Sequence, residues 1–240
     1  SPMSRGLGDV YKRQLSFFGS SAWERPPSVD TGDTGPRRLD DLLKIVPRDG
    51  NAAYDMRLAI SALVDGGGFF QVQPDFGSSI VCALARIGGE SIGIIANQPS
   101  VIAGSIDVDA ADKAAHFIQV CDSFHLPLVF LADNPGVLAG QASERAGILR
   151  AGARMFAAQT RAQTVKIHVT LRKAYGFGSS VMAMNPYDEQ SLSFGFPGAT
   201  LGAMGASGAS NAVGADEATR AELHQALSLI HISEPTRHRR

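Results

Sequence analysis

Between Ser79 and Leu171, short apolar runs rich in β-formers alternate with segments of helical periodicity, and this alternation narrows the possible folds more than any other feature. Ser79–Ile87 and Ser91–Ala96 read as buried strands, joined as a hairpin through Gly88-Gly89. Asp109–Asp122 reads as a helix with Ala114, Phe117, Ile118 and Cys121 on its inner face and Asp109 as its cap. Leu126–Leu131 is the next expected strand, Glu144–Gln163 one long Ala-rich helix, and Val165–Leu171 a further strand. Short connections between such elements imply an α/β domain, with helices packed over largely parallel strands. Upstream, Met56, Ala59, Ile60, Leu63 and Val64 fall at helical spacing and predict an amphipathic helix within Tyr54–Asp65, ended by Gly66-Gly67-Gly68. Leu15–Gly50, rich in Pro, Gly, Asp and Arg, reads as an extended connector.

The two ends bear an odd relation to each other. One permitted codon choice for Leu227–Arg237 has a reverse complement that translates, residue for residue, as Ser4–Gln14. The DNA it implies resembles a sequencing-library transposon adapter read at both ends of a fragment. Residues 1–14 and 227–240 are therefore expected to be adapter-derived, and the native part a piece truncated at both ends. The expected organisation is a connector over 15–50 and one domain over 51–226. Setting the ends aside matters for charge: the whole chain carries 22 basic and 23 acidic residues, whereas the part between them carries 16 and 21. A mildly acidic piece has no electrostatic reason to bind nucleic acid. No apolar run reaches the length of a membrane span, and the missing start leaves a targeting segment open. Cys82 and Cys121 lie in apolar runs without metal-ligand spacing and read as buried reduced thiols, which fits a cytoplasmic or organelle-matrix protein.

Four stretches carry the polar and glycine patterns of a site. In Val169–Met182 a β-rich run stops at Lys173, turns through Gly176 and Gly178 and restarts as a small-residue helix. The free N–H groups of a first helical turn point outward together, and glycines let an anionic oxygen approach them. That is oxyanion chemistry without a side-chain nucleophile, although a plain flexible βα turn has the same pattern. Ala96–Asp107 and Ala132–Gly140 each follow the carboxyl end of a strand, where open α/β sheets place ligands. Asp133 is either an acid or a turn-former there. Pro197–Gly208 is glycine-rich and suited to close packing. A phosphate-gripping Gly-x-x-x-x-Gly-Lys-Ser/Thr loop is absent from the sequence. His116, His125, His168 and His224 lack paired spacing and read as structural or exposed, and no metal site is expected.

The ordered blocks Gly93–Pro99, Asp107–Asp122, Leu126–Leu128, Asp133–Gly136, Gly147–Ala153, Leu171–Gly176 and Met204-Gly205 together resemble the carboxyltransferase β subunits of biotin-dependent acyl-CoA carboxylases such as propionyl-CoA carboxylase. The resemblance runs from Leu15 to about Val213, and implies a crotonase-like spiral of ββα units, corresponding to the carboxyl-terminal of the family's two related halves. It implies transfer of a carboxyl group from carboxybiotin to the α-carbon of a short acyl-CoA. By matching position, the backbone N–H groups of Gly176, Phe177 and Gly178 are the expected donors to the biotin ureido oxygen. Ser180, Tyr175, Asn97, Gln98, Pro135 and Gly136 are the expected substrate-binding residues. The implied partners are acyl-CoA, a biotin carboxyl carrier, a biotin carboxylase subunit and further copies of the full-length chain, as a hexamer, in a bacterial cytoplasm. Biotin would arrive on the carrier and not be attached here.

Departures from the family pattern bear on substrate. Many members read Lys-Ala-Tyr-Gly-Gly-Ala-Tyr-Asp where this chain reads Lys173-Ala-Tyr-Gly-Phe-Gly-Ser-Ser180. Phe177 is expected to narrow the biotin pocket, and Ser180 stands where the family position influences acyl-chain choice. Val137 and Ala139 replace the usual Phe and Pro, and Ala151 a frequent His. The alternatives are the equivalent subunit of a biotin-dependent decarboxylase, or a non-catalytic scaffold of the same fold.

Overall fold

The computed structural model describes residues 2–32, 38–184, 191–204, 216, 218, 219 and 222. Its centre is a seven-stranded sheet. β1 (Phe69–Val72), β2 (Ile80–Ile87) and β3 (Glu90–Asn97) are antiparallel; β4 (Leu128–Asn134), β5 (Lys166–Tyr175) and β6 (Ser191–Gly195) continue from β3 in parallel. β5 is long enough for two partners on one side: Lys166–Thr170 pair with β6, and Lys173–Tyr175 with β7 (Thr200–Gly202).

Both faces of the central strands are buried, so successive residues serve opposite layers. Cys82, Leu84, Ile95, Leu128, Phe130 and Ala132 pack on one side, with α4 (Val108–Ser123) and α6 (Ile148–Arg161) over them. Val81, Ala83, Ile94, Ala96, Val129 and Leu131 pack on the other, against α3 (Met56–Leu63) and α2 (Leu42–Ile45). The Gly88-Gly89 hairpin is present as read, with both residues at positive φ. Its N–H groups bond the buried Asp65 carboxylate at 2.9 and 2.7 Å.

Several boundaries differ from the sequence reading. The cap of α4 is Asp107, not Asp109: Asp107 Oδ1 accepts the Ala110 N–H at 2.8 Å, and Asp109 falls inside the first turn. The single helix expected over Glu144–Gln163 is two, α5 (Gln141–Ala146) and α6, because Gly147 adopts φ +93° and takes the left-handed position that ends one helix. β4 starts at Leu128 and runs on to Asn134, and β5 continues to Tyr175, since β7 pairs with its last residues. The connector docks on the domain: Phe17, Leu42 and Val46 are buried, and Asp49 and Gly50, with Ala52 just beyond the connector, give their carbonyls to Arg172 and Lys173. At the amino end, α1 (Pro2–Leu15) is helical, yet its Val10, Tyr11 and Leu15 lie largely exposed. The carboxyl-terminal expectation over 227–240, and Gly205 of the Met204-Gly205 block, fall outside the described residues.

Candidate active site

Because β3, β4 and β5 are parallel, their carboxyl ends lie at one edge of the sheet, and the three polar loops read from the sequence leave the strands together there. Asn97, the last residue of β3, is fully buried, and its Oδ1 accepts from the Asp133 N–H at 3.1 Å and from Asn134 Nδ2 at 3.0 Å. Its own Nδ2 donates to Gly104 O at 3.3 Å. Gly104, at φ +79°, packs so tightly that a Cβ would lie 2.3 Å from Asp133 O. Asn134 in turn accepts the Gly136 N–H at 3.0 Å, closing an Asx turn that leaves Pro135 exposed and Gly136 buried at φ +129°. Asn134 is the hub of the site, and the Asp-Asn-Pro-Gly signal marked it only as part of a turn.

The third loop is α7 (Gly176–Val181), entered from Tyr175 in extended conformation and from Gly176 at φ +55°. Gly178 sits directly on the second loop: a Cβ there would fall 2.2 Å from Asn134 Oδ1 and 2.7 Å from Gly136 Cα. A first helical turn leaves its N–H groups without intrahelical partners, and Gly178 packs the backbone of this one against the Asn134–Gly136 turn. Tyr175 is tied away from them, its hydroxyl 2.7 Å from Thr200 Oγ1. Ser180 is half-buried, and its carbonyl accepts from Gln159 Nε2 at 3.1 Å.

The structure therefore brings together Asn97, Pro135, Gly136 and the Tyr175–Gly178 turn. Gln98 is different, since its side chain is spent on the far layer: Oε1 accepts the Met56 N–H at 2.9 Å and Nε2 donates to Asp55 at 2.7 Å, fixing the start of α3. Phe177 also departs from expectation. Its ring packs on α6, 6.1 Å between centroids from Phe156, and a Cβ on Gly152 would touch it at 2.7 Å. The missing side chain at Gly152 is what lets the ring turn inward.

The Asx turn is closed by Asn134, so Asp133 is not the turn-former. It is fully buried, with Oδ2 accepting from Arg172 Nε at 2.8 Å. Burial raises its pKa while the guanidinium opposes the rise. Tyr54 lies beside this pair, its ring 5.1 Å from the guanidinium carbon, and burial with the neighbouring Asp133 charge pushes its phenol up. His168 is structural: Nδ1 lies 2.7 Å from Met182 O and Nε2 2.8 Å from Thr170 Oγ1, and burial lowers its pKa to about 4. The carbonyl can only accept, so Nδ1 carries a proton, and the lowered pKa leaves the ring neutral at pH 7. Cys82 and Cys121 are free and buried, and burial drives the Cys82 thiol up to about 12.

A family model described as the carboxyl transferase domain matches residues 9–238. The methylmalonyl-CoA carboxyltransferase 12S subunit of Propionibacterium freudenreichii subsp. shermanii is 40% identical over 226 residues, covering 94% of this chain and 43% of its own length. The methylmalonyl-CoA decarboxylase subunit alpha of Veillonella parvula is 44% identical over 174 residues, covering 72% of this chain and 34% of its own length. A crystal structure of transcarboxylase 12S, described as a hexamer with hydrolysed methylmalonyl-coenzyme A bound, superposes with a TM-score of 0.84 at 40% identity over 92% of this chain and 44% of that one. The chain thus spans less than half the length of these relatives, and its fold is the crotonase-like one expected from the resemblance. With a family model covering nearly every residue and a sheet edge built as these blocks require, the chain belongs to the carboxyl transferase domain family.

Proposed function

We propose that this chain is the biotin-receiving half of an acyl-CoA carboxyltransferase, and that Phe177 and Gly178 donate their backbone N–H groups to the biotin ureido oxygen. The observation that carries the reading is the contact of Gly178 with the Asn134–Gly136 turn, which presents a helix start beside a glycine turn at the carboxyl edge of the sheet. The donor set fits the group, because an amide-like oxygen that gains negative charge needs aimed N–H groups and no metal or nucleophile. Carboxybiotin supplies the carboxyl group and, once that is released, the base for the acyl α-proton. The chain's own part is to hold the ureido oxygen, through Phe177 and Gly178, and to keep Pro135 and Gly136 against it. The substrate, from the family and from Ser180 near the turn, is a short acyl-CoA. Its partners are a biotin carrier and a biotin carboxylase, with further copies of the full-length chain.

The test separates the amide from the side chain. Position 178 is unsuited, since any Cβ there collides with Asn134 and with Gly136 backbone. Phe177 lies in the first turn, where proline is tolerated. In the full-length protein, Phe177→Pro removes ring and N–H, while Phe177→Ala removes only the ring. Carboxyl exchange between free biotin and a carboxylated acyl-CoA should fall roughly 10² to 10³ further in kcat for the proline variant than for alanine. Equal losses in two folded variants would return the turn to a structural role. The similarity to a decarboxylase subunit favours a second reading, in which the same site takes the carboxyl group from the acyl-CoA. Net loss of that group from the acyl-CoA by the assembled complex, with no net carboxylation, would select it.

A further inference from the structure

We propose that the buried Asp133–Arg172 pair is a positioning device, which sets the separation of the Asn134–Gly136 turn and the Tyr175–Gly178 turn and locks both to segment 49–54. This deepens the carboxyl-transfer reading and rests on it.

Each partner stands just ahead of one of the two turns. Asp133 precedes Asn134 in β4, and Arg172 lies three residues before Tyr175 in β5. Between them the register of the two strands shifts: Ala132 faces Thr170, but Asn134 faces Ala174. The ion pair spans this irregularity, lying between the Ala132–Thr170 pairing and the resumed Asn134–Ala174 pairing, where two extra residues of β5 must be accommodated. Arg172 is occupied on a second side. Its Nη1 donates to Asp49 O at 2.5 Å and Ala52 O at 2.7 Å, and the Tyr54 ring stacks beside the guanidinium. Lys173 Nζ adds a bond to Gly50 O at 2.8 Å. One rigid fork thus meets a carboxylate near the end of β4 and two carbonyls of a backbone segment from the opposite layer.

Such a pair has little claim as a source of stability, because a buried ion pair is commonly no better than apolar residues of the same volume, while it does fix geometry. Geometry is what the neighbouring contact demands. Gly178 meets Asn134 and Gly136 with no room for one added carbon, so a change of a few tenths of an ångström between β4 and β5 would open or close the place where the two turns meet. Lysine at position 172 would keep the charge but not the planar fork that holds Asp133 and two carbonyls at once.

The experiment uses the full-length chain and Arg172→Lys, with biotin and a carboxylated acyl-CoA as the probes. Thermal unfolding establishes the folded fraction, exchange kinetics give kcat and both KM values, and amide hydrogen exchange reports on segments 134–138 and 175–180. The expected result is a folded variant with kcat reduced roughly 10²-fold, the scale of a displacement of about 1 Å in an active site. The acyl-CoA KM should change less than about threefold, and both segments should exchange faster together. Undiminished kcat, a loss that only follows the unfolded fraction, or faster exchange in one segment alone overturns the proposal. If Arg172→Lys does not fold, Asp133→Asn with Arg172→Gln removes both charges and the planar fork and is read in the same way. A wild-type chain without transfer activity, in which Arg172→Lys still loosens both segments, would overturn the transfer reading while leaving the coupling of the two turns in place.

Discussion

Single residues in this molecule act chiefly through what they exclude. Gly178 and Gly104 let backbone lie against side-chain oxygen and carbonyl, and Gly152 admits the Phe177 ring. His168 acts through the absence of charge. Its folded pKa of about 4 lies below the ordinary 6.5, so between those values the unfolded chain binds the proton more readily. Stability should therefore fall as pH drops from about 6.5 toward about 4, by up to roughly 3 kcal/mol at 1.4 kcal/mol per unit. Urea unfolding at several pH values checks this, and His168→Gln, which cannot titrate, should flatten that part of the profile. An unchanged slope would assign the acid sensitivity elsewhere. At this scale the sequence was a partial guide. The glycines and Asn97 of the site could be read, since polar and glycine patterns at strand ends are local. The Asp133–Arg172 pair could not, because its members are 39 residues apart and only the sheet brings them together.

Elements follow local rules until a neighbour intervenes. The α4 inner face of Ala114, Phe117, Ile118 and Cys121 was legible from spacing and is buried as read. Its cap was not, since Asp107 and Asp109 both precede the apolar run and only backbone dihedrals distinguish them. Asp107, at ψ 178°, turns its carboxylate back onto the Ala110 N–H. Asp107→Ala should accordingly cost about 1 kcal/mol in urea unfolding, and Asp109→Ala only a few tenths, as an acid near the helix dipole. Equal effects would mean that the bond is unimportant. The break at Gly147 was hidden inside an Ala-rich pattern that glycine can also continue. Its left-handed φ, with its N–H bonded to Ser143 O and Glu144 O, makes it the end of a helix.

The whole molecule was legible in its alternation of strands and helices, and less so in how its leading segment is held. Nothing in the Pro- and Gly-rich stretch before Tyr54 indicates that its carbonyls are gripped by Arg172 and Lys173, because backbone acceptors leave no mark on sequence. The described site is assembled from β3, β4 and β5, and its chain spans only 43% of the 12S relative. Residues 15–226 in isolation are accordingly expected to show no carboxylation of acyl-CoA with carboxybiotin, while still melting cooperatively. Measurable turnover by that piece would contradict a site shared with the remainder of a longer protein. The double partnership of β5 also has a consequence for synthesis. The β1–β3 meander is local and can pair soon after it leaves the ribosome, whereas parallel strands wait for their crossovers. β5 waits longest, since its last three residues pair with Thr200–Gly202, which are translated after it. A chain ending before Thr200 and free of the ribosome would hold a sheet lacking only β7, with its Tyr175 hydroxyl unanchored. The carboxyl edge would then be among the last parts of the molecule to take shape.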